Sequence, residues 1–232
     1  MKNKRLKKGI MPSCLITSGA TKEYLDPIRY ITNASTGAMG AALAAVALKK
    51  GANVTFITGV DGIVPVGKCK VIKVVSAKDM LGAVKENLNK HDVLIFAAAV
   101  GDWAVQKQSK LKIKKKAQMA LKLVENPDIS AYAGAKKNAS QVSVCFALET
   151  NNFMQNARKK LKNKNADFIV LNTASTIGSK NTDAKIIYPD GSSKEIASSK
   201  SAAAVQIINE AVKLFEKRAL TPKGKRIVCE KI

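Results

Sequence analysis

Acidic residues and aromatic rings are scarce in this 232-residue chain: 17 Asp and Glu stand against 40 Lys and Arg, and aromatics make up 5% of residues. The resulting formal charge of +23 gathers anions, so composition admits phosphorylated small molecules, nucleic acid or an anionic lipid surface as partners. The shortage of rings weighs against a single-strand nucleic-acid binder, which needs stacking platforms for the bases. His91 is the single histidine, so no Ser/His/Asp or Cys/His set can be assembled, and its place ahead of an apolar run reads as structural. Cys14, Cys69, Cys145 and Cys229 lie 55 or more residues apart, which excludes CxxC zinc and redox spacings and fits a reducing cytoplasm. Cys14 and Cys145 fall in strand-like runs, where a buried thiol is the expected state.

Long apolar runs are missing as well. The longest, "AALAAVAL", is far short of the roughly 20 residues that cross a bilayer, so no membrane association is expected. The start, "MKNKRLKKGIMPSCLITSGA", has the outline of a signal peptide, but Pro12 and Ser13 break its apolar part and "CLITSG" reads as a first core strand. There is no G-x-x-x-x-G-K-[ST] phosphate loop. With neither nucleophile nor base in evidence, any catalysis has to rest on positioning and electrostatic stabilisation.

What is present describes an α/β domain. The apolar fraction of 46% supports a substantial core. β-branched runs near 14–17, 53–58, 70–75, 92–98, 142–147 and 167–171 alternate with helical patterns, as in a mostly parallel sheet flanked by helices. Helices are predicted over 40–50, ending at Gly51; over 77–89, with Ser76 and Asp79 as a capping box; and over 127–137, with Asn126 as cap and Pro127 in the first turn. A last helix, 199–217, places Val205, Ile208, Val212 and Phe215 on one face, and a β-hairpin turning at Asp190 and Gly191 precedes it. The domain is read as 10–218, between basic tails at 1–9 and 219–232. The long connections follow the first and fourth strands, which puts a ligand at the strands' carboxyl ends.

Three stretches can carry chemistry. In "TSGATKEYLDPIRYITNASTGAMG", Gly19, Gly37 and Gly40 surround a helix start suited to an anion, although the spacing departs from a dinucleotide fingerprint. In "AAAVGDWAVQKQSKLKIKKK", small residues end a strand, Asp102 follows, and six lysines fall within residues 107–116. Such a run is ordinarily a solvated face, but a strand would aim Lys110, Lys112 and Lys114 together. In "ETNNFMQNARKKLKNKNADFIVLN", Lys160 and Lys164 share a helix face and together suit a triphosphate.

Together these segments, with "ENPDI" at Glu125 to Ile129 and "FALETNN" at Phe146 to Asn152, resemble the bacterial phosphopantothenoylcysteine synthetases over roughly residues 12–218. The resemblance implies a Rossmann-like fold, a homodimer, and a ligase that joins 4′-phosphopantothenate to L-cysteine through an acyl nucleotidylate. It implies CTP, or alternatively ATP, as co-substrate, with Mg²⁺ accompanying the triphosphate. By motif, Asp102, Lys112, Asn126, Pro127, Asp128, Ile129, Phe146, Lys160 and Lys164 would bind the nucleotide, Lys112 stabilising charge at the reacting centre. Asn33 would hold the acyl substrate or intermediate, with Gly37 and Gly40 opening the adjoining loop. Two departures stand out: "AAVGD" where many members have "AAVAD", and "STGAMG" where many have "SSGKMG", which replaces a lysine by Ala38. A stand-alone synthetase without flavin is expected. A basic nucleic-acid-binding module and an NAD(P)-dependent reductase, with Asp61 near the position of a ribose ligand, are the alternatives.

Overall fold

Runs of Val, Ile, Leu and Phe that are apolar at every position can only be strands covered on both faces, and the chain builds its centre from them. A computed structural model describes residues 11–115, 117–173, 184–196 and 199–220. Strands β1 (Cys14–Ser18), β4 (Val54–Gly59) and β6 (Val93–Phe96) are buried along their whole length. With β5 (Lys70–Val74), β9 (Val142–Glu149) and β10 (Phe168–Thr173) they form a parallel array. An antiparallel hairpin, β11 (Ala184–Ile187) and β12 (Ser193–Ile196), extends one edge, giving the order β12-β11-β10-β9-β6-β1-β4-β5. Its turn is the one read from the sequence: Gly191 has φ 86°, and its N–H donates to Tyr188 O at 3.0 Å.

The period-2 alternation of the strands sends side chains to two separate cores. Ile16, Phe56, Ile95, Val144 and Val170 face α1 (Ala38–Lys49) and α5 (Lys200–Leu220). Leu15, Ile57, Leu94, Cys145 and Ile169 face α2 (Ala77–Asn87), α3 (Ile129–Lys136) and α4 (Phe153–Asn163). The result is a three-layer α/β/α sandwich of Rossmann-like form. Helix α2 opens with the capping box expected at Ser76 and Asp79. Two details differ from the sequence reading. Asp128, not Asn126, caps α3 by accepting from Ala131 N at 2.9 Å, because Asn126 spends its side chain on Gly101 O. Helix α5 buries Ala203, Ala204, Ile207, Ile208, Ala211 and Phe215 and leaves Val205 40% exposed, so its contact stripe is set one step round from the one predicted.

Helix α5 continues through Leu220, two residues into the segment read as a C-terminal tail; residues 1–10 and 221–232, with Cys229, lie outside the described residues. Its far end is fastened to the sheet. Asp167 accepts from Lys137 Nζ at 2.7 Å, from Ser143 N at 2.7 Å and from Arg218, whose other nitrogen reaches Gln141 O.

After β1 the chain leaves toward β4 and β5, and it returns to β6 on the other side of β1, so the strand order reverses between β1 and β6. In open α/β sheets that reversal opens a crevice at the carboxyl ends. The connections leaving it are long and carry small antiparallel pairs, β2 (Lys22–Tyr24) with β3 (Tyr30–Thr32) and β7 (Trp103–Val105) with β8 (Leu123–Glu125).

Candidate active site

A cavity of about 1220 Å³ occupies that crevice. Its floor is the strand exit Ala97 to Val100, where small side chains leave room beside the backbone. One wall is the loop from Asn33 to Gly40. Asn33 Nδ2 donates to Val100 O at 3.0 Å and to Ala99 O at 3.3 Å, tying the loop across the strand-order reversal. Gly37, at φ 77°, starts α1 without a side-chain cap. Its carbonyl accepts from the buried Ser18 Oγ at 3.0 Å. Gly40 has a packing reason of its own: a Cβ there would lie 2.2 Å from Ser18 Oγ and 2.5 Å from Ser18 Cβ.

The segment bearing Asp102 is held on both sides. Gly101 N donates to Thr21 Oγ1 at 2.9 Å, Asn126 Nδ2 donates to Gly101 O at 2.9 Å, and Asn126 N donates to Asp102 O at 2.8 Å. The Asp102 carboxylate is left exposed on the cavity wall. Gly101 stands where a methyl group would fit: a Cβ there would meet Glu23 Cγ and Thr21 Oγ1 at 3.6 Å and Trp103 O at 3.8 Å, ordinary contact distances.

Asn126, Pro127, Asp128, Ile129, Phe146, Lys160 and Lys164 line the cavity as well. Lys164 Nζ donates to both Asp128 oxygens at 3.0 Å and to Ser130 Oγ at 2.5 Å. Burial alone would raise the Asp128 carboxyl, but the Ala131 N–H and the Lys164 ammonium outweigh it and hold the group below its ordinary value. Lys160 Nζ lies 2.7 Å from Glu149 Oε1, an ion pair set off the line of a good hydrogen bond. Two cations on one cavity wall, close to a helix N-terminus and to backbone amides, can receive a polyphosphate.

Lys112 is the exception among the site residues named from the sequence. It is exposed and does not line the cavity, and residues 110–115 form no strand that would aim Lys110, Lys112 and Lys114 together. The segment is strapped down one residue further on. Ile113 N donates to Asp26 Oδ2 at 3.1 Å, and Arg29 donates to Ile113 O at 2.7 Å. Asp26 is wholly buried, and the Arg29 guanidinium, with three backbone N–H groups, keeps its carboxyl far below the usual range.

Other candidates fall away from the cavity. Asp61 pairs with Lys22 and is not on the cavity wall, which removes the feature that suggested a ribose ligand. His91 is buried between Asn87 O, 2.8 Å from Nδ1, and Thr55 Oγ1, 2.9 Å from Nε2; burial lowers its pKa and it is structural. Burial pushes the Cys14 and Cys145 thiols up to about 12, so neither is a nucleophile at neutral pH. Trp103, Glu125, Ser35, Thr36, Asn172 and Lys200 also line the cavity and went unread. Trp103, the single tryptophan, carried a signal in sitting directly after Asp102; Lys200, at the start of α5, carried none before the fold placed it. No group of three or more His, Cys, Asp and Glu side chains converges on a metal position among the described residues. Asp102 and Glu125 supply carboxylates on the wall, which suits a cation carried in on a polyphosphate better than a resident ion.

This combination defines a Rossmann-like α/β domain with a phosphate-receptive cavity at the strand-order reversal. The chain belongs to the family described as the DNA/pantothenate metabolism flavoprotein C-terminal domain, whose pattern matches residues 11–215. It is 37% identical over 206 residues to the coenzyme A biosynthesis bifunctional protein CoaBC of Haemophilus influenzae, covering 87% of this chain and 52% of that protein. The chain thus spans about half the length of the curated relatives it matches. The crystal structure of the C-terminal domain of a CoaBC superposes with a TM-score of 0.76 at 32% identity, covering 88% of this chain and 96% of that one. The Cab2 H337A mutant in complex with phosphopantothenate-cysteine shares the fold, with a TM-score of 0.75 at 18% identity over 88% of this chain and 86% of that one.

Proposed function

We propose that this domain is a phosphopantothenate–cysteine ligase of coenzyme A biosynthesis. The observation that carries the reading is that every site residue named from the sequence motifs except Lys112 lines one cavity. The kinship with the C-terminal domain of CoaBC supports it, as does a structural neighbour that holds phosphopantothenate-cysteine. In the proposed reaction, the carboxylate of 4′-phosphopantothenate attacks the α-phosphorus of CTP and pyrophosphate leaves. The amine of L-cysteine then attacks the acyl carbon, CMP departs, and a proton is lost as the amide forms.

In this scheme the chain works by holding and neutralising. Lys160 and Lys164 take phosphate oxygens of the nucleotide, Ile129 and Phe146 pack the base or sugar, and Gly101 and Asp102, held by Thr21 and Asn126, frame the ribose with Asp102 facing it. Asn33, anchored on Ala99 and Val100, presents its amide to the acyl substrate and intermediate. Asp102 and Glu125 are the wall carboxylates that would hold Mg²⁺ carried on the triphosphate, and the ion would supply charge neutralisation. ATP is the alternative co-substrate; the bacterial character of the motifs favours CTP. No step calls for a flavin. The reading includes a cytoplasmic protein acting as a homodimer, for which the exposed apolar residues Tyr30, Leu123 and Val124 on the small antiparallel pairs, with Ile28 in the turn between β2 and β3, offer a surface. That no helix among the described residues is long and apolar enough to cross a membrane accords with it.

Lys112 keeps its proposed role in stabilising charge at the reacting centre, and for this its side chain has to reach the cavity from beside the Ile113 tether at Asp26. The test is single-turnover formation of the acyl nucleotidylate. Lys112→Gln is expected to slow it on the order of a hundredfold, the usual cost of one charged transition-state contact. A wild-type rate in that variant would hand the role to Lys160 and Lys164.

A further inference from the structure

Both lysines on the phosphate-receiving wall already carry a carboxylate. Lys164 is paired with Asp128, which stands on the cavity wall beside it. Lys160 is paired with Glu149, which does not line the cavity and is placed behind the lysine at the end of β9, its side chain only 11% exposed. Glu149 is fixed from its other side, where Asn156 Nδ2 donates to Oε2 at 3.1 Å.

In a chain with 40 basic and 17 acidic residues, two carboxylates on these particular lysines neutralise the local charge against the general balance. Their value to stability is small, since partly exposed ion pairs contribute little. Their effect on an arriving anion is large by comparison. A phosphate oxygen that approaches Lys160 Nζ finds its charge already shared with Glu149 Oε1, and each carboxylate repels the anion across a few ångströms of partly desolvated space.

We propose that Glu149, together with Asp128, acts as a resident counter-ion that competes with phosphate for the site lysines and keeps the hold on pyrophosphate weak enough for it to leave. Glu149 is a positioning residue in this scheme: it touches Lys160, not the ligand. The inference rests on the reading of this wall as the triphosphate site. It makes a prediction opposite to that of mere structural support, because loss of a support loosens a ligand and loss of a competitor tightens it.

The experiment is calorimetric titration of the protein with inorganic pyrophosphate and, separately, with Mg·CTP. Glu149→Gln keeps the shape and removes the charge. Its single carbonyl oxygen can stay beside Lys160 Nζ, while Asn156 retains its bond to Asn151 O at 3.1 Å. Removal of one unit charge at this distance and partial exposure is expected to tighten pyrophosphate on the order of tenfold, an effect that shrinks as salt rises. Asp128→Asn, which preserves the helix cap, is the second arm and should shift affinity the same way. Unchanged or weaker pyrophosphate binding in both variants, with Mg·CTP still bound by the wild type, would overturn the inference alone. Failure of the wild type to bind either ligand would overturn the triphosphate reading and the inference with it.

Discussion

Gly40→Ala is the sharpest test of how the cavity wall is built. Alanine is the better helix former by about 1 kcal/mol, and Gly40 has helical backbone in the first turn of α1, so propensity alone predicts stabilisation. Packing predicts the reverse. The added Cβ would stand 2.2 Å from Ser18 Oγ, 2.5 Å from Ser18 Cβ and 3.3 Å from Ser18 Cα. Ser18 has no exposed surface and its hydroxyl donates to Gly37 O, so it cannot turn aside without leaving that buried hydroxyl unpaired. Overpacking costs about 1–3 kcal/mol, and contacts of 2.2 and 2.5 Å belong in the upper part of that range, about 2–3 kcal/mol, which leaves a net loss of about 1–2 kcal/mol after the propensity gain. In a domain of this size that lowers Tm by roughly 2–8 °C. Thermal melts of Gly40→Ala, Ser18→Gly and the double variant give the coupling, and the double variant should recover most of the loss, since the two nearest atoms are gone. A Gly40→Ala melt at or above that of the wild type, or additive effects in the cycle, would refute the steric argument.

Acid should destabilise the protein in two steps. His91 is held below its ordinary pKa by burial, so its contribution is complete above an unfolded value of about 6.5 and declines as pH falls below it. Asp26, Asp79, Asp128 and Asp167 are likewise held below their ordinary value, and their contribution is complete above about pH 3.9 and lost as pH falls through the folded values. Urea midpoints measured from pH 7.5 to 2.5 should show a shallow decline, then a steep one; a midpoint that rises on acidification contradicts this. Asp167→Asn strips Lys137 and Arg218 of their shared counter-ion where all three groups are largely buried, and should lower stability by about 3 kcal/mol in chemical denaturation. Gly101→Ala should be accepted, with a gain of about 0.4–1 kcal/mol through the unfolded chain and unchanged nucleotide affinity; a loss of stability would mean that the backbone there needs glycine.

The central strands were legible because parallel strands covered on both faces must be apolar throughout, and runs such as "VLIF" have few other uses. The hairpin at Asp190 and Gly191 and the capping box at Ser76 were legible because local backbone chemistry dictates both. The short pairs β2–β3 and β7–β8 were not, since three-residue strands at the surface carry too little pattern to separate from loop. The cap of α3 was misassigned because Asn126 and Asp128 are both good caps; only the fold shows that Gly101, 25 residues upstream, claims Asn126. Lys160 and Lys164 were readable from their i, i+4 spacing, whereas their partners Glu149 and Asp128 were not, since ion pairs across β9, α3 and α4 follow from tertiary packing. The tether of Ile113 to Asp26 likewise spans 87 residues and leaves no local trace.

Pyrophosphate release by the purified protein with 4′-phosphopantothenate, Mg²⁺ and either CTP or ATP, run with and without L-cysteine, tests the ligase activity most directly. Steady turnover that requires cysteine, with CTP preferred, is the result predicted. Folded protein that releases no pyrophosphate with either nucleotide would contradict the ligase reading.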